Sequence, residues 1–121
     1  MVQHASGGDL MVISADLLRG YTDAVILRQL AEKDGYGYQI SKEVTTISEG
    51  RLELKEATLY TAFRRLEGAG YIRSYWGNET VGARRRYYSL TEEGRKKLRE
   101  EVQAWQETRE VLNQLLEEGK Q

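Results

Sequence analysis

The stretch LKEATLYTAFRRLEGAGYI, residues 54–72, sets Leu59, Ala62, Phe63 and Leu66 on one face of a helix running from about Glu56 to Leu66 or Glu67. Gly68-Ala69-Gly70 ends it. The other face presents Thr58, Tyr60, Thr61, Arg64 and Arg65, polar and basic, with one acid, Glu67, near its end. At the cap position stands Lys55, where Asn, Asp or Ser would better satisfy the free amides. The cap therefore lies elsewhere, or the first turn is frayed until something binds it.

Downstream, the aromatic-rich segments Tyr71–Trp76 and Arg85–Leu90 flank a turn-forming stretch, Gly77–Ala83, and read as a two-stranded hairpin with a loose tip. Arg84, Arg85 and Arg86 lie on its return. Tyr87 and Tyr88 alternate along that strand, so one of them faces inward. Thr91 then caps a long helix with Glu92 and Glu93 in its first turn. Its stripe of Leu98, Val102, Trp105, Leu112 and Leu116 continues to about Glu118. Such a helix is roughly 40 Å long, more than a domain this small covers, which calls for a crossing or antiparallel partner helix.

Upstream, Gly37–Ser48 forms a short helix with Ile40, Val44 and Ile47 facing inward. A further helix is expected over Asp16–Lys33, with Gly35 as its stop. Its apolar residues Leu17, Leu18, Tyr21, Ala24, Val25, Ile26, Leu27, Leu30 and Ala31 cover more than one stripe. A small domain has one core, so the second apolar side points to a partner subunit. Residues 1–13 contain Gly7-Gly8 and no sustained period, and read as a mobile tail or an appended remnant. The chain thus divides into that tail, a domain at 14–90 and a C-terminal helix at 91–121.

Charge is distributed unevenly over the 121 residues, whose net value is −1. Residues 1–50 hold 4 Lys/Arg and 7 Asp/Glu, residues 51–90 hold 8 and 4, and residues 91–121 hold 6 and 8. An overall pI near 5.9 argues against a nucleic-acid partner, yet the basic third coincides with the decisive helix and the hairpin. Counterion release depends on nearby cations and not on the global sum.

The inventory excludes much. With no cysteine and a single histidine, His4, thiol catalysis, disulfides, cysteine zinc sites and Ser-His-Asp triads are all ruled out. The 19 acids are mostly spread over helix faces near Lys/Arg, so no nucleophile, metal set, phosphate loop or cofactor site is visible, and no enzyme is expected. The longest apolar runs are four residues, Leu10–Ile13 and Ala24–Leu27, far from the ~20 of a membrane span. The expectation is a cytoplasmic protein without a membrane partner.

Three helices followed by a hairpin make a mainly α winged helix-turn-helix with a two-stranded β wing, plus one long C-terminal dimerisation helix. In that architecture the third helix enters the major groove, where Thr58, Tyr60, Thr61 and Arg64 reach bases and phosphates, while Arg84 and Arg85 of the wing follow the backbone. Two readings stay open for several of these. Tyr60 contacts DNA or packs against the wing, and Arg84–Arg86 meet phosphates or merely form a solvated strand edge. A winged-helix module for protein interaction, without DNA binding, is the alternative that the acidic pI favours.

LKEATLYTAFRRLEGAGYI, followed by SYWG and then RRRYYSLTEEG, closely resembles PadR-type transcriptional regulators, over about residues 16–118. Their signature is an E-x-T-L-Y recognition helix and an arginine-rich, tyrosine-containing wing before L-T-x-x-G. The single long last helix with a central tryptophan resembles the compact LmrR-like, multidrug-responsive subgroup. The resemblance implies a homodimeric repressor, its first and last helices forming the interface and its wings reading a pseudo-palindromic operator in double-stranded DNA. Carried over by motif, Tyr38 joins Thr58, Tyr60, Arg64, Arg84 and Arg85 as a DNA contact. The subgroup resemblance further implies a planar aromatic effector at the dimer seam. By motif position its site is Leu17, Gly20, Asp23 and Ala24 of the first helix and Val102, Trp105, Thr108, Arg109 and Leu112 of the last. Periodicity alone makes Trp105 dimer packing. Arg109 disfavours cationic drugs unless Asp23 pairs with it.

Overall fold

The computed structural model describes residues 12–117 as α1 (Ala15–Leu18), α2 (Thr22–Glu32), β1 (Gly35–Tyr36), α3 (Gly37–Ile47), α4 (Glu56–Gly68), β2 (Ile72–Trp76), β3 (Arg86–Leu90) and α5 (Glu92–Leu116). His4 and the Gly7-Gly8 pair lie outside the described residues, as does Glu118. Ile13, assigned to the tail, is tied down: its N–H donates to the Arg51 carbonyl at 2.8 Å.

α4 buries Leu59, Ala62, Phe63 and Leu66, as its period requires. It begins at Lys55 in extended backbone with no side-chain cap. Gly70, at φ +84°, lets the chain turn back so that the Tyr71 N–H donates to the Leu66 carbonyl at 3.0 Å. Phe63 stacks on Tyr88 with ring centroids 4.0 Å apart. Tyr88 is the inward member of the tyrosine pair, and Tyr87 lies on the opposite face.

The sheet has three strands in the order β1-β3-β2, not two. β2 and β3 pair antiparallel from Ile72↔Leu90 to Trp76↔Arg86, and β1 adds Gly35↔Tyr88 and Tyr36↔Tyr87. Two residues beside glycines carry no alternation, so the extra strand has no local signal and exists because β3 offers it an edge.

The expected helix over Asp16–Lys33 is broken. Gly20 interrupts it, and the Tyr21 N–H bonds to the Leu18 carbonyl at 2.7 Å in a tight turn. Glycine weakens a helix interior, and Ser14 separately caps α1 by accepting from the Leu17 N–H. Ile26, Leu27 and Leu30 of α2 enter the core. The second apolar side of α2, expected to face a partner, meets the first half of α5 from the same chain, where Val25 and Leu98 are partly buried against the core. Ile47 also departs from expectation: Ile40 and Val44 are buried, but Ile47, in the last turn of α3, is 69% exposed. The core does not extend that far along the helix.

α5 is docked at its start. The Thr91 hydroxyl accepts from the Gly94 N–H at 3.0 Å and donates to the Gly70 carbonyl at 2.7 Å, while the Thr91 N–H bonds to the Tyr71 carbonyl at 3.1 Å. A Cβ on Gly94 would stand 2.1 Å from the Tyr71 carbonyl oxygen, so only glycine lets the helix approach this closely. Beyond Val102 every described residue of α5 is exposed, including Trp105, Leu112 and Leu116. No helix among the described residues is long and apolar enough to cross a membrane.

Gly94→Ala is expected to lower folding stability by about 1–3 kcal/mol through this backbone clash. Gly20→Ala, where a Cβ meets nothing within 4 Å, is expected to be neutral or stabilising. Chemical denaturation of the two variants beside the parent checks both.

Candidate nucleic-acid interface

The outward face of α4 carries Thr58, Thr61 and Arg64, all exposed. Among the described residues the Arg64 side chain has no ion-pair or hydrogen-bond partner, and neither does the Lys55 side chain at the helix start. Arg65, one position on, is held differently: it bridges to Asp23 of α2 and so ties α4 to the helix beneath it. Tyr60 packs against its neighbours. Its ring meets Phe63 edge-on at 5.6 Å, and its hydroxyl covers Gly37, where a Cβ would stand 2.6 Å away. It is still 41% exposed, so packing and outward contact coexist. Tyr38, at the start of α3, is 69% exposed, with the Lys42 ammonium 6.0 Å from its ring centroid. Lys42 is not legible in the sequence, because an isolated lysine on a polar face carries no pattern, and Lys55 is legible there only as a poor cap.

The hairpin tip is more ordered than a loose turn. The Gly77 N–H donates to the Arg85 carbonyl at 2.7 Å, and the Arg84 Nε donates to the Gly77 carbonyl at 3.2 Å. Strand alternation then divides the arginines between two faces. Arg84 and Arg86 both lie over Trp76, each 5.7 Å from the ring, and Arg86 also donates to Ser74 Oγ, which itself donates to Glu67. Arg85 sits on the other face, 4.8 Å over the Tyr36 ring. Each arginine is therefore positioned by neighbours while remaining exposed.

A row of tyrosines crosses that second face. Tyr87 stacks with Tyr75 at 5.6 Å and meets Tyr36 edge-on at 5.3 Å. The Tyr75 hydroxyl donates to Asp34 at 2.6 Å, and this bond to a carboxylate pushes its pKa up to about 12. Glu79, in the tip, accepts from the Arg85 N–H at 3.1 Å and from the Tyr87 hydroxyl at 2.9 Å. Those bonds, the backbone one first, hold its carboxyl below the usual glutamate range. Sequence reading passed over Glu79, whose one clue is an acid alone in the turn before an arginine triplet.

Away from this surface, a largely apolar groove of about 350 Å³ lies between α2, the end of α3 and α5. Of the nine effector-site candidates it gathers Ala24, Val102 and Trp105, together with Tyr21, Val25 and Ile47, which were not assigned to it. Leu17, Gly20, Asp23, Thr108, Arg109 and Leu112 do not line it within one chain. The reasons are geometric. Leu17 and Gly20 precede the start of α2, Asp23 faces Arg65, and Thr108 and Leu112 lie on the exposed half of α5. Arg109 does not pair with Asp23; its guanidinium lies 4.6 Å over the Trp105 ring.

Residues 26–100 match the Transcriptional regulator PadR-like family. The chain belongs to that family. A transcriptional regulator from Clostridium thermocellum is 45% identical, with a TM-score of 0.79, over 84% of this chain and 99% of that one. A PadR family transcription regulator from Clostridium difficile is 44% identical, with a TM-score of 0.70, over 79% of this chain and 98% of that one. An uncharacterized protein of Lysinibacillus sphaericus is 40% identical over 106 residues, 88% of this chain and 97% of that one. The PadR-like chain is thus a DNA-binding transcriptional regulator and not an enzyme. Its fold is the mainly helical one of that family, with a small antiparallel sheet.

The depressed carboxyl of Glu79 has a pH consequence. A group whose folded pKa lies below its unfolded value stabilises above the unfolded pKa and loses that contribution as pH falls through the folded one. Order at the tip is expected to persist through neutral pH and to fail only below the ordinary glutamate range. Hydrogen exchange of the Arg85 amide, followed downward in pH, reads this directly.

Proposed function

We propose that this PadR-like regulator works as a homodimeric repressor of a pseudo-palindromic operator. The observation that carries the DNA reading is an exposed α4 face whose Arg64 is unpaired, standing beside a hairpin with positioned arginines. In this reading α4 enters the major groove with Thr58, Tyr60, Thr61 and Arg64, Tyr38 supports it from α3, and Arg84 and Arg85 of the hairpin follow the phosphates as a wing. The 14–90 segment is then the DNA-binding domain and 91–121 the dimerisation helix. Support for the dimer comes from α5, whose outer half leaves Trp105, Val111, Leu112, Leu115 and Leu116 exposed among the described residues. In a two-fold dimer the recognition helices stand about 34 Å apart, one turn of DNA.

The effector reading rests on the groove beside Trp105. A planar aromatic slides against the indole, in contact with Ala24 and Val102, and a second protomer closes the site with residues such as Leu17, Thr108 and Leu112 that lie outside the groove in one chain. Arg109 already occupies the indole face, so the ligand displaces it or sandwiches with it, and the charge selects neutral or anionic rings. Such a ligand releases DNA only by favouring one dimer geometry over another.

Two outcomes are expected. Arg64→Ala weakens binding to a duplex selected from random-sequence DNA and lowers the slope of log K against log salt by about one. Fluorescence titration with planar aromatics shows quenching that Trp105→Ala abolishes while Trp76 remains, and Arg109→Ala shifts preference toward cationic dyes. Quenching unchanged in Trp105→Ala would return that residue to plain packing.

A further inference from the structure

Glu79 is the one acid in the tip, and it is engaged on every side. One carboxylate oxygen accepts from the Arg85 backbone N–H, and the other accepts from the Tyr87 hydroxyl and lies 3.6 Å from the Arg85 guanidinium. Its side chain is only 17% exposed, unusual for a glutamate in a surface turn. Gly77 makes room for it: a Cβ there would stand 2.4 Å from the Glu79 carboxylate and 2.6 Å from the Tyr87 ring. Arg85 is thereby gripped at its backbone and along its guanidinium, which rests over Tyr36, while its side chain stays 49% exposed.

We infer that Glu79 is the positioning residue of the wing: its hydrogen bonds fold the tip back so that Arg85 stands pre-aimed at a DNA phosphate. This rests on the reading that Arg85 contacts DNA. A bare acid among arginines would only subtract positive charge and weaken binding. The geometry points the other way, because its two shortest bonds go to neutral donors inside the hairpin, while the Arg85 guanidinium lies farther off at 3.6 Å with its side chain 49% exposed. A long arginine freed from such a hold loses rotamer entropy when it meets a phosphate; one already held has lost most of it.

The test uses the full chain and a duplex selected from random-sequence DNA on the wild-type protein. Binding is measured across a salt series for wild type, Glu79→Ala, Glu79→Gln, Arg85→Ala and the Glu79→Ala/Arg85→Ala double variant, with thermal unfolding to show that each folds. Glu79→Ala is expected to weaken binding about tenfold, the loss of one charge-assisted contact. The salt slope falls by about one, as for Arg85→Ala. Glu79→Gln, which keeps the shape, accepts from the Arg85 N–H through its amide oxygen and donates its amide N–H to the Tyr87 hydroxyl oxygen, but lacks the charge, restores most of the affinity. In the Arg85→Ala background, removing Glu79 costs nothing more. Glu79→Ala binding as tightly as wild type or tighter makes Glu79 a counter-charge and overturns the inference. An equal loss in both backgrounds, or failure of Glu79→Gln to restore binding, overturns it as well. If Arg85→Ala binds like wild type, the reading of Arg85 as a phosphate contact fails first and takes this inference with it.

Discussion

The stack of Phe63 on Tyr88 joins the two parts of this molecule that matter for its function. Phe63 is the buried side of α4, and Tyr88 is the buried side of the central strand, so one aromatic contact, with centroids 4.0 Å apart, clamps the basic helix to the hairpin. Both surfaces proposed to meet DNA lie on the far sides of the elements it joins. Rings at stacking distance within the buried core fix where the helix sits against the hairpin. Tyr88 also faces Gly35 across the sheet, which brings in β1 and with it the Tyr36 ring beneath Arg85.

Around that clamp the charges divide by function. Arg65 braces α4 against α2 through Asp23, and Arg86 braces the hairpin against the end of α4 through Ser74 and Glu67. The Arg64 and Lys55 side chains have no partner among the described residues, Arg84 is steered over Trp76, and Arg85 is held by Glu79 at 3.6 Å while its side chain stays about half exposed. A chain with net charge −1 thus presents a local positive surface, because residues 51–90 hold 8 Lys/Arg against 4 Asp/Glu and Arg64, Lys55 and Arg84 stand there without an acidic partner among the described residues.

Much of the fold was legible. The four apolar positions of α4, the aromatic strands around Gly77–Ala83 and the Thr91 cap with its acidic first turn are local patterns, and each appears as read. The misreadings have two causes. Gly20 breaks what periodicity joined, a local signal that the apolar run on either side of it masked. β1 depends on a partner strand far along the chain through Gly35↔Tyr88 and Tyr36↔Tyr87, and part of the second side of α2 packs on α5 of its own chain; neither leaves a trace in a window of about ten to fifteen neighbouring residues.

The candidate site divides the same way. The sequence by itself determined which residues face outward on α4, where the arginines fall on the hairpin, and that a long apolar-striped helix needs more than its own domain. Period and alternation are properties of the backbone, so residue order sets them. Only the tertiary structure decided the partners: Asp23 with Arg65 instead of Arg109, Arg109 over Trp105, and Glu79 under Arg85 and Tyr87. A charged group pairs with whatever packing brings within a few ångströms, and that distance is set by the core as a whole.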